Sequence, residues 1–554
     1  MQLLRFWQTI RHLKPVQLYG RLLFMIGRRF MPPARAGDEV MSAKDLKRLY
    51  PLVGLPEVSF KFLHHIEYIE AEKMRWQGAD WPSEATPEKL WRYNLNYFSW
   101  LFSQIPEHKM DQKTQLFLIL DWIEKNVSAR SETWEPYVIS KRLVNWSKWL
   151  TTHKNLVEPV RNCICRSIFS QLKRLSQDIE YHNQANHLFE NLSSMLIASL
   201  FLLEENFKFE ATLAAMARKA SNELLLQLEE QFFPDGGHYE RSPMYHSEML
   251  ETITSITESS EIALKNDKIK QFDALHSSLD ELLELCAEKK VLAKDWLENL
   301  THPDGFVAQF NDCAQIKGIR LNKMPGEKAL NYLLTRSGFF VRRNTRMYFA
   351  LSCKEPSPSF QPGHTHCDIL SYELSIDGLR CIVDTGCGSY QNQTVRQHCR
   401  TTSSHNVPLI ELSEQSDIWG AFRIGKRARV VLQDYDSQKG LLTVEFIDQY
   451  EQKFRREVIF ANQSIKIRDR MFNRRITGTF CSNIHLHPEI LLLPSDEPGI
   501  VKLQRSDLQF CIRTNSIFRT ESHEWYPEFG RQKKTVKLIL SNHETEAIDY
   551  VISW

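Results

Sequence analysis

The feature that most constrains this chain is a change of rhythm near residue 330. From about Pro87 to Lys290, apolar residues recur every three to four positions, as over 114–125, 140–151, 187–204, 211–230 and 245–265, and glycine is sparse. That spacing puts apolar side chains on one face of successive helices. After about Arg336, short runs rich in β-branched and aromatic residues take over, at 338–343, 346–351, 380–384, 427–432 and 441–446, with turn residues such as Lys439-Gly440 between many of them. Such runs read as strands. With 554 residues, the chain exceeds the roughly 250–300 at which a single core stops growing. The expectation is a multidomain α and β protein with a basic lead-in over 1–86, a helical domain over 87–330 and an antiparallel β domain over 331–554.

Composition narrows the function classes. Seventy Lys and Arg stand against 68 Asp and Glu, a net charge of +2, which argues against a dedicated nucleic-acid binder. No apolar run reaches the roughly 18–20 residues a membrane span needs. Eleven cysteines, an odd number without a repeating frame, fit reduced thiols better than a secreted disulfide scaffold. The first 37 residues carry seven Lys or Arg and no acid. Their apolar stretch, 22–27, is short and is followed by Arg28-Arg29, and Ala34-Arg35-Ala36 imitates a cleavage site with the wrong flanks. The first reading is a basic amphipathic segment docking on the chain's own body, and the second is peripheral contact with a membrane surface. The expected address is the cytoplasm or the periphery of the inner membrane, with the periplasm or cell envelope as the alternative.

Three polar clusters stand out. In Tyr181–Asn191, Asn183, Asn186, His187, Glu190 and Asn191 recur at helical spacing ahead of an apolar run. As a helix they share one face at its beginning, as a cap with a satisfied histidine or as a binding site. In Asp235-Gly-Gly-His238-Tyr239-Glu240-Arg241-Ser-Pro-Met-Tyr245-His246, two glycines permit a tight turn, and Ser242-Pro243 predicts a helix start with Ser as cap. Tyr245 then lies in the first turn, where the helix dipole would lower its pKa, aromatic packing being the alternative. In Gly363-His364-Thr-His366-Cys-Asp368, an extended chain points both histidines and Asp368 the same way. With Asp384 and His405, the histidines have the composition of a zinc site, of a metal-free proton-transfer site, or of a structural hydrogen-bond network.

These motifs resemble the heparinase II/III-like polysaccharide lyase superfamily, which includes related alginate lyases. The resemblance rests on Asn186-His187-Leu-Phe-Glu190, on Asp235 through His246, on His364-Thr-His366-Cys-Asp-Ile-Leu-Ser-Tyr-Glu, on Asp384-Thr-Gly and on Ser404-His405-Asn406. Trp91-Arg-Tyr-Asn-Leu-Asn-Tyr-Phe and Trp134-Glu-Pro-Tyr, with Arg142-Leu-Val-Asn-Trp, are similar to the variant found with exopolysaccharide or lipopolysaccharide genes. The resemblance implies an N-terminal (α/α) toroid, an incomplete barrel, followed by an antiparallel β-sandwich. It implies β-elimination on a uronate-containing anionic polysaccharide, with Asn186, His187, Tyr245 and His364 catalytic. Tyr245 would be the principal acid and could also serve as base, and His364 the other proton-transfer group. Glu190, Arg241, His238 and Tyr239 would contact substrate. His366, Asp384 and His405 would hold a structural Zn2+. Asp384-Thr-Gly departs from the Asp-Pro-Gly of many relatives. The rival expectations are a non-catalytic glycan-binding or scaffold protein of surface-polysaccharide assembly, and a glycoside hydrolase using Asp235 and Glu240.

Overall fold

The computed structural model describes residues 2–30, 42–50, 57–126, 131–320, 330–543 and 545–554; the Ala34-Arg35-Ala36 tripeptide lies outside them. Two compact units emerge. One joins Met1–Leu13, Gln231–Leu250 and Val291–Trp554, and the other joins Lys14–Glu230 and Glu251–Lys290. Apart from one hairpin in the helical unit, Glu57–Phe62 paired with His65–Glu70, the strands begin where the sequence rhythm changes, at Leu330–Leu334, yet the turn at 231–250 and the segment after 290 group with the sheets. Close approach explains the turn's attachment. A Cβ on Gly236 (φ +86°) would stand 2.2 Å from the Leu292 carbonyl oxygen, and one on Gly237 would stand 2.6 Å from the Trp296 indole nitrogen.

In the helical unit, Gln112–Lys125 starts at Asp111, whose carboxylate accepts the Thr114 N–H at 2.7 Å. Pro136–Thr152 and Glu158–Gln177 carry proline in the first turn, where a missing N–H costs nothing. Ala185–Glu204 is apolar on nearly every face and runs through the interior. Trp91, Trp100, Trp122, Trp146 and Trp149 are buried, and Trp122 and Trp146 lie against the fully enclosed Arg142. That guanidinium lies 3.9 Å from the Trp122 ring centroid and donates to Gln171 and to the Asn96 and Thr133 carbonyls.

The other unit is built of antiparallel sheets. A five-stranded meander runs in chain order from Leu330–Leu334 to Leu379–Ile382. Eight strands between Arg429–Asp436 and Ala547–Ser553 form a second sheet, and Pro408–Ile410, Phe480–His485, Ile517–Glu528 and Arg531–Asn542 form a third. Burial alternates residue by residue along Lys453–Phe460 and Ser464–Phe472, as a sheet with one covered face requires. The inward side chains, among them Phe349, Leu374, Val444, Ile467, Ile484 and Ile552, make one core. Long connections between strands, at 353–371 and 383–407, leave this frame and carry His364, His366, Asp384 and His405. All eleven cysteines are unpaired, and all but Cys511 are buried.

Within the core, Arg456 and Asp469 are both fully buried and meet through two 2.7 Å hydrogen bonds. Removing one member strands the other charge, so Asp469→Ala is expected to destabilise the protein by about 3–5 kcal/mol. Thermal unfolding of the full chain, read against the wild type, checks this.

Candidate active site

The helical unit contributes one cluster. Its helix enters through two left-handed residues, Gln184 (φ 60°) and Ala185 (φ 53°), a backbone conformation that is costly for residues other than glycine and clusters at functional sites. Just inside, Asn186 is 4% exposed, and its amide makes no hydrogen bond among the described residues. His187 stacks on Tyr137 with 4.7 Å between ring centroids, and its Nδ1 lies 3.1 Å from both Glu180 oxygens. Burial would raise Glu180, but His187, His182 and Asn183 hold its carboxyl below the usual range. Asn183 and Asn191 both donate to Glu180, so two of the three asparagines organise this carboxylate. Glu190 is buried, paired with Lys141 at 2.9 Å and accepting from Thr252 at 2.5 Å.

The sheet-bearing unit carries a second cluster of its own. The helix Pro243–Leu264 starts as the sequence predicts, with Ser242 Oγ accepting the Tyr245 N–H at 3.4 Å. Tyr245 packs its ring on His364, centroids 4.0 Å apart, and its hydroxyl lies 2.8 Å from that of Tyr390. The Tyr245 pKa is raised, not lowered as its place in the first helical turn suggests. Burial, with Glu248, Asp312 and Glu240 adding negative charge, pushes the phenol well above its ordinary value, and this outweighs the helix dipole.

His364 and His366 do not lie on a strand; they sit in an irregular connection, and both face one carboxylate. His364 Nδ1 is 2.8 Å from Asp312 Oδ2, and His366 Nε2 is 2.8 Å from Asp312 Oδ1. The Arg396 guanidinium forks onto the same carboxylate and donates to the Gly363 carbonyl. Burial alone would raise Asp312, but Arg396 and the two imidazoles hold it well below the carboxylate range. Asp368 does not join the histidines: it pairs with the buried Lys354. His364 keeps some access to solvent, its side chain 16% exposed, and its Nε2 lies 3.5 Å from Glu240.

His238 and Tyr239, expected at the substrate, are buried. His238 is sealed against Gln231 at 2.9 Å, and the Tyr239 carbonyl accepts from Ser357. The turn that carries them folds back as an antiparallel bridge between Phe232 and His238, which directs them inward. Arg241, in a left-handed conformation (φ 55°), donates to the Glu355 and Arg336 carbonyls and lines a cavity of about 490 Å3 with Phe233, Arg336 and Glu355.

Two sets of side chains bear on a metal. Asp312, His366 and Cys387 have ligand atoms all within 4.8 Å of one another. That set suits a hydrogen-bond network better than a cation: Arg396 already occupies the carboxylate, and burial next to Asp312 pushes the Cys387 thiol well up. The ligand atoms of His366, Asp384 and His405, the expected zinc ligands, do not all come within that distance of one another, but His366 and His405 each present a buried nitrogen without a partner. His366 Nδ1 is buried without a partner while its Nε2 is held by a carboxylate, as in ligating histidines. Burial also lowers His366 to about 4, keeping it neutral. His405 Nδ1 is hydrogen-bonded to Asp384 at 2.9 Å, and its Nε2 is buried without a partner. The His366 and His405 ring centroids are 5.4 Å apart.

Comparison with known families now adds a frame. The family model for the heparinase II/III N-terminus matches residues 36–327, and that for the heparinase II/III-like C-terminal region matches 331–553. The chain belongs to the heparinase II/III-like family. Among solved structures, heparinase III is similar at 16% identity and a TM-score of 0.64, covering 99% of this chain and 92% of that one. A mutant of the heparan sulfate lyase HepC from Pedobacter heparinus matches at 16% identity and a TM-score of 0.61, covering 97% and 87%. The heparinase III BT4657 gene product matches at 17% and 0.59, covering 92% and 88%. These likenesses establish the fold, an N-terminal (α/α) toroid followed by an antiparallel β-sandwich. No curated protein matches.

Sequence reasoning singled out Tyr245 and His364, which pack together, Asp384 and His405, which are hydrogen-bonded, and Asn186, His187 and Glu190, which share one helix start. It missed Asp312, Arg396, Tyr390, Lys141 and Glu180. The run Gln309-Phe-Asn-Asp312, polar residues just after the apolar Phe-Val-Ala, was the available signal for the first. Because its folded pKa is depressed, Asp312 contributes stability that is fully present above the unfolded value of about 3.9 and drains away as pH falls through the folded value. Asp312→Asn is therefore expected to cost about 3–5 kcal/mol at neutral pH. The gap to wild type should stay constant down to about pH 4 and shrink below it, as denaturant titrations at stepped pH would show.

Proposed function

We propose that this protein is a polysaccharide lyase that cleaves a uronate-containing anionic glycan by β-elimination. The observation that carries the reading is the packed pair of Tyr245 and His364, a phenol held protonated beside an imidazole oriented by a buried carboxylate. With Nδ1 committed to Asp312, His364 Nε2 is the nitrogen left to take the C5 proton. Tyr245, kept neutral by its surroundings, is matched to deliver a proton to the departing O4. The C5–H and C4–O bonds break, a C4–C5 double bond forms, and no water is added. The C5 proton is weakly acidic, so neutralising the sugar carboxylate is the larger task. The unpaired amide of Asn186, with His187, is assigned that task on the family resemblance.

A zinc ion held by His366, Asp384 and His405 would supply cross-linking of the loops that carry these residues. His366 and His364 share Asp312, so that link also steadies the proposed base. The hydrolase reading is weaker: Asp235 is already engaged by the Gly237, Arg336 and Ser337 N–H groups and the Ser337 hydroxyl, as a turn organiser. The scaffold reading predicts glycan binding without turnover.

Incubation with a panel of uronate polymers, followed by ultraviolet absorbance and mass spectrometry, tests the proposal. Products lacking the mass of water support it, and silence across the panel, including the source organism's own glycan, overturns it. Tyr245→Phe should lower turnover by about 100-fold or more, within the 10²–10⁴ typical of positioned proton transfer. Since the phenol stays protonated beyond its ordinary value, kcat should not lose this acid below about pH 10, which a pH–rate profile reads directly. Metal analysis of purified protein should find zinc in the wild type and in Cys387→Ser, and its loss in His405→Ala.

A further inference from the structure

Two helices near the chain's beginning are turned the wrong way round for a protein surface. A surface helix ordinarily buries its apolar stripe and leaves its polar face in water. In Gln2–Ile10 the polar side faces the protein. Arg5 forks onto Asp417 at 2.7 and 2.9 Å, and Thr9 donates to the Ile424 carbonyl and accepts from the Trp419 indole. The opposite side, Leu3, Leu4, Phe6 and Trp7, is between 52 and 86% exposed. Pro15–Phe30, taken by itself, repeats the pattern. Gln17 is buried, Gly20 sits against His182, and Phe24 meets the His182 ring at 4.4 Å. At helical spacing across from them, Leu18, Tyr19, Leu22, Leu23, Met25 and Ile26 stand 47 to 62% exposed.

From these faces we infer that the two helices dock on the surface of an anionic lipid bilayer. Exposed apolar area of this extent marks an interaction surface, and charge selects the partner. The first 37 residues carry seven Lys or Arg and no acid; Arg5 is paired with Asp417 and Lys14 with Glu230, and five cations remain, the composition of interfacial helices that enter the headgroup region of anionic membranes. A second copy of this chain would bring the same excess of positive charge against them. Spanning is excluded by length, because helices of 9 and 16 residues fall short of the roughly 20 a bilayer core needs, and no helix among the described residues is long and apolar enough to cross. The helices therefore lie in the interface, held to the protein by their polar and small residues.

The inference stands apart from the lyase reading, and its test needs no substrate. The full chain is sedimented with phosphatidylcholine vesicles, plain or with one third phosphatidylglycerol, alongside Leu22→Glu/Leu23→Glu and Trp7→Glu. These positions are exposed, so melting temperatures should match the wild type. The expected result is co-sedimentation with the anionic vesicles, weakened by high salt and reduced about tenfold or more in the variants. A wild type that stays in the supernatant, or variants that pellet unchanged, would overturn it. So would light scattering that finds a wild-type dimer, made monomeric by the same substitutions, with no vesicle binding.

Discussion

The polar cluster of the sheet-bearing unit depends on a single buried anion. Asp312 accepts from His364, His366 and Arg396 through its carboxylate, its carbonyl accepts from Ser242, the cap of the helix that carries Tyr245, and its N–H donates to the His364 carbonyl. One residue thereby ties together a helix start, the histidine loop and the helix Gln393–Arg400. A carboxylate with no exposed surface is tolerable only when it is paired and fully hydrogen-bonded, so these segments must be in place together. The proposed base and a proposed metal ligand hang from its two oxygens, which couples loop position to ring orientation.

Backbone strain follows the same map. Asn311 and Arg241 both adopt left-handed conformations, and the Asn311 amide donates to the Arg241 carbonyl at 3.0 Å. Gln184 and Ala185 do the same ahead of Asn186. Each such residue is held by its surroundings at a cost of about 1–3 kcal/mol. Their position next to Asp312, Ser242 and Asn186 shows where the fold gives up local comfort to aim side chains.

Much of the architecture was legible because periodicity is a local signal. The strands near 339–343 and 441–447 and the helices near 112–125 and 185–204 follow from spacing alone. The pairing of Tyr245 with His364 was reachable through motif order and resemblance. Asp312 and Arg396 were not, because a lone acid and a lone arginine 84 positions apart leave no pattern in a single chain. The Tyr245 pKa was misjudged for a related reason: the helix dipole is read from sequence, whereas desolvation is set by residues from distant segments. The grouping of 231–250 with the sheets was hidden as well, since it comes from glycines pressed on Leu292 and Trp296. For the first two helices, amphipathicity was visible, but which face turned inward was decided by Asp417 and His182, far along the chain.

The cysteines carry a practical consequence. Burial pushes the Cys165, Cys286 and Cys399 thiols up to about 12, and thiolate is the form that alkylating reagents and peroxide attack. Only Cys511 reaches even partial exposure. The thiols of the folded molecule are thus quiet toward electrophiles, and each cysteine beyond Cys511 that reacts reports a local opening of the interior rather than surface chemistry.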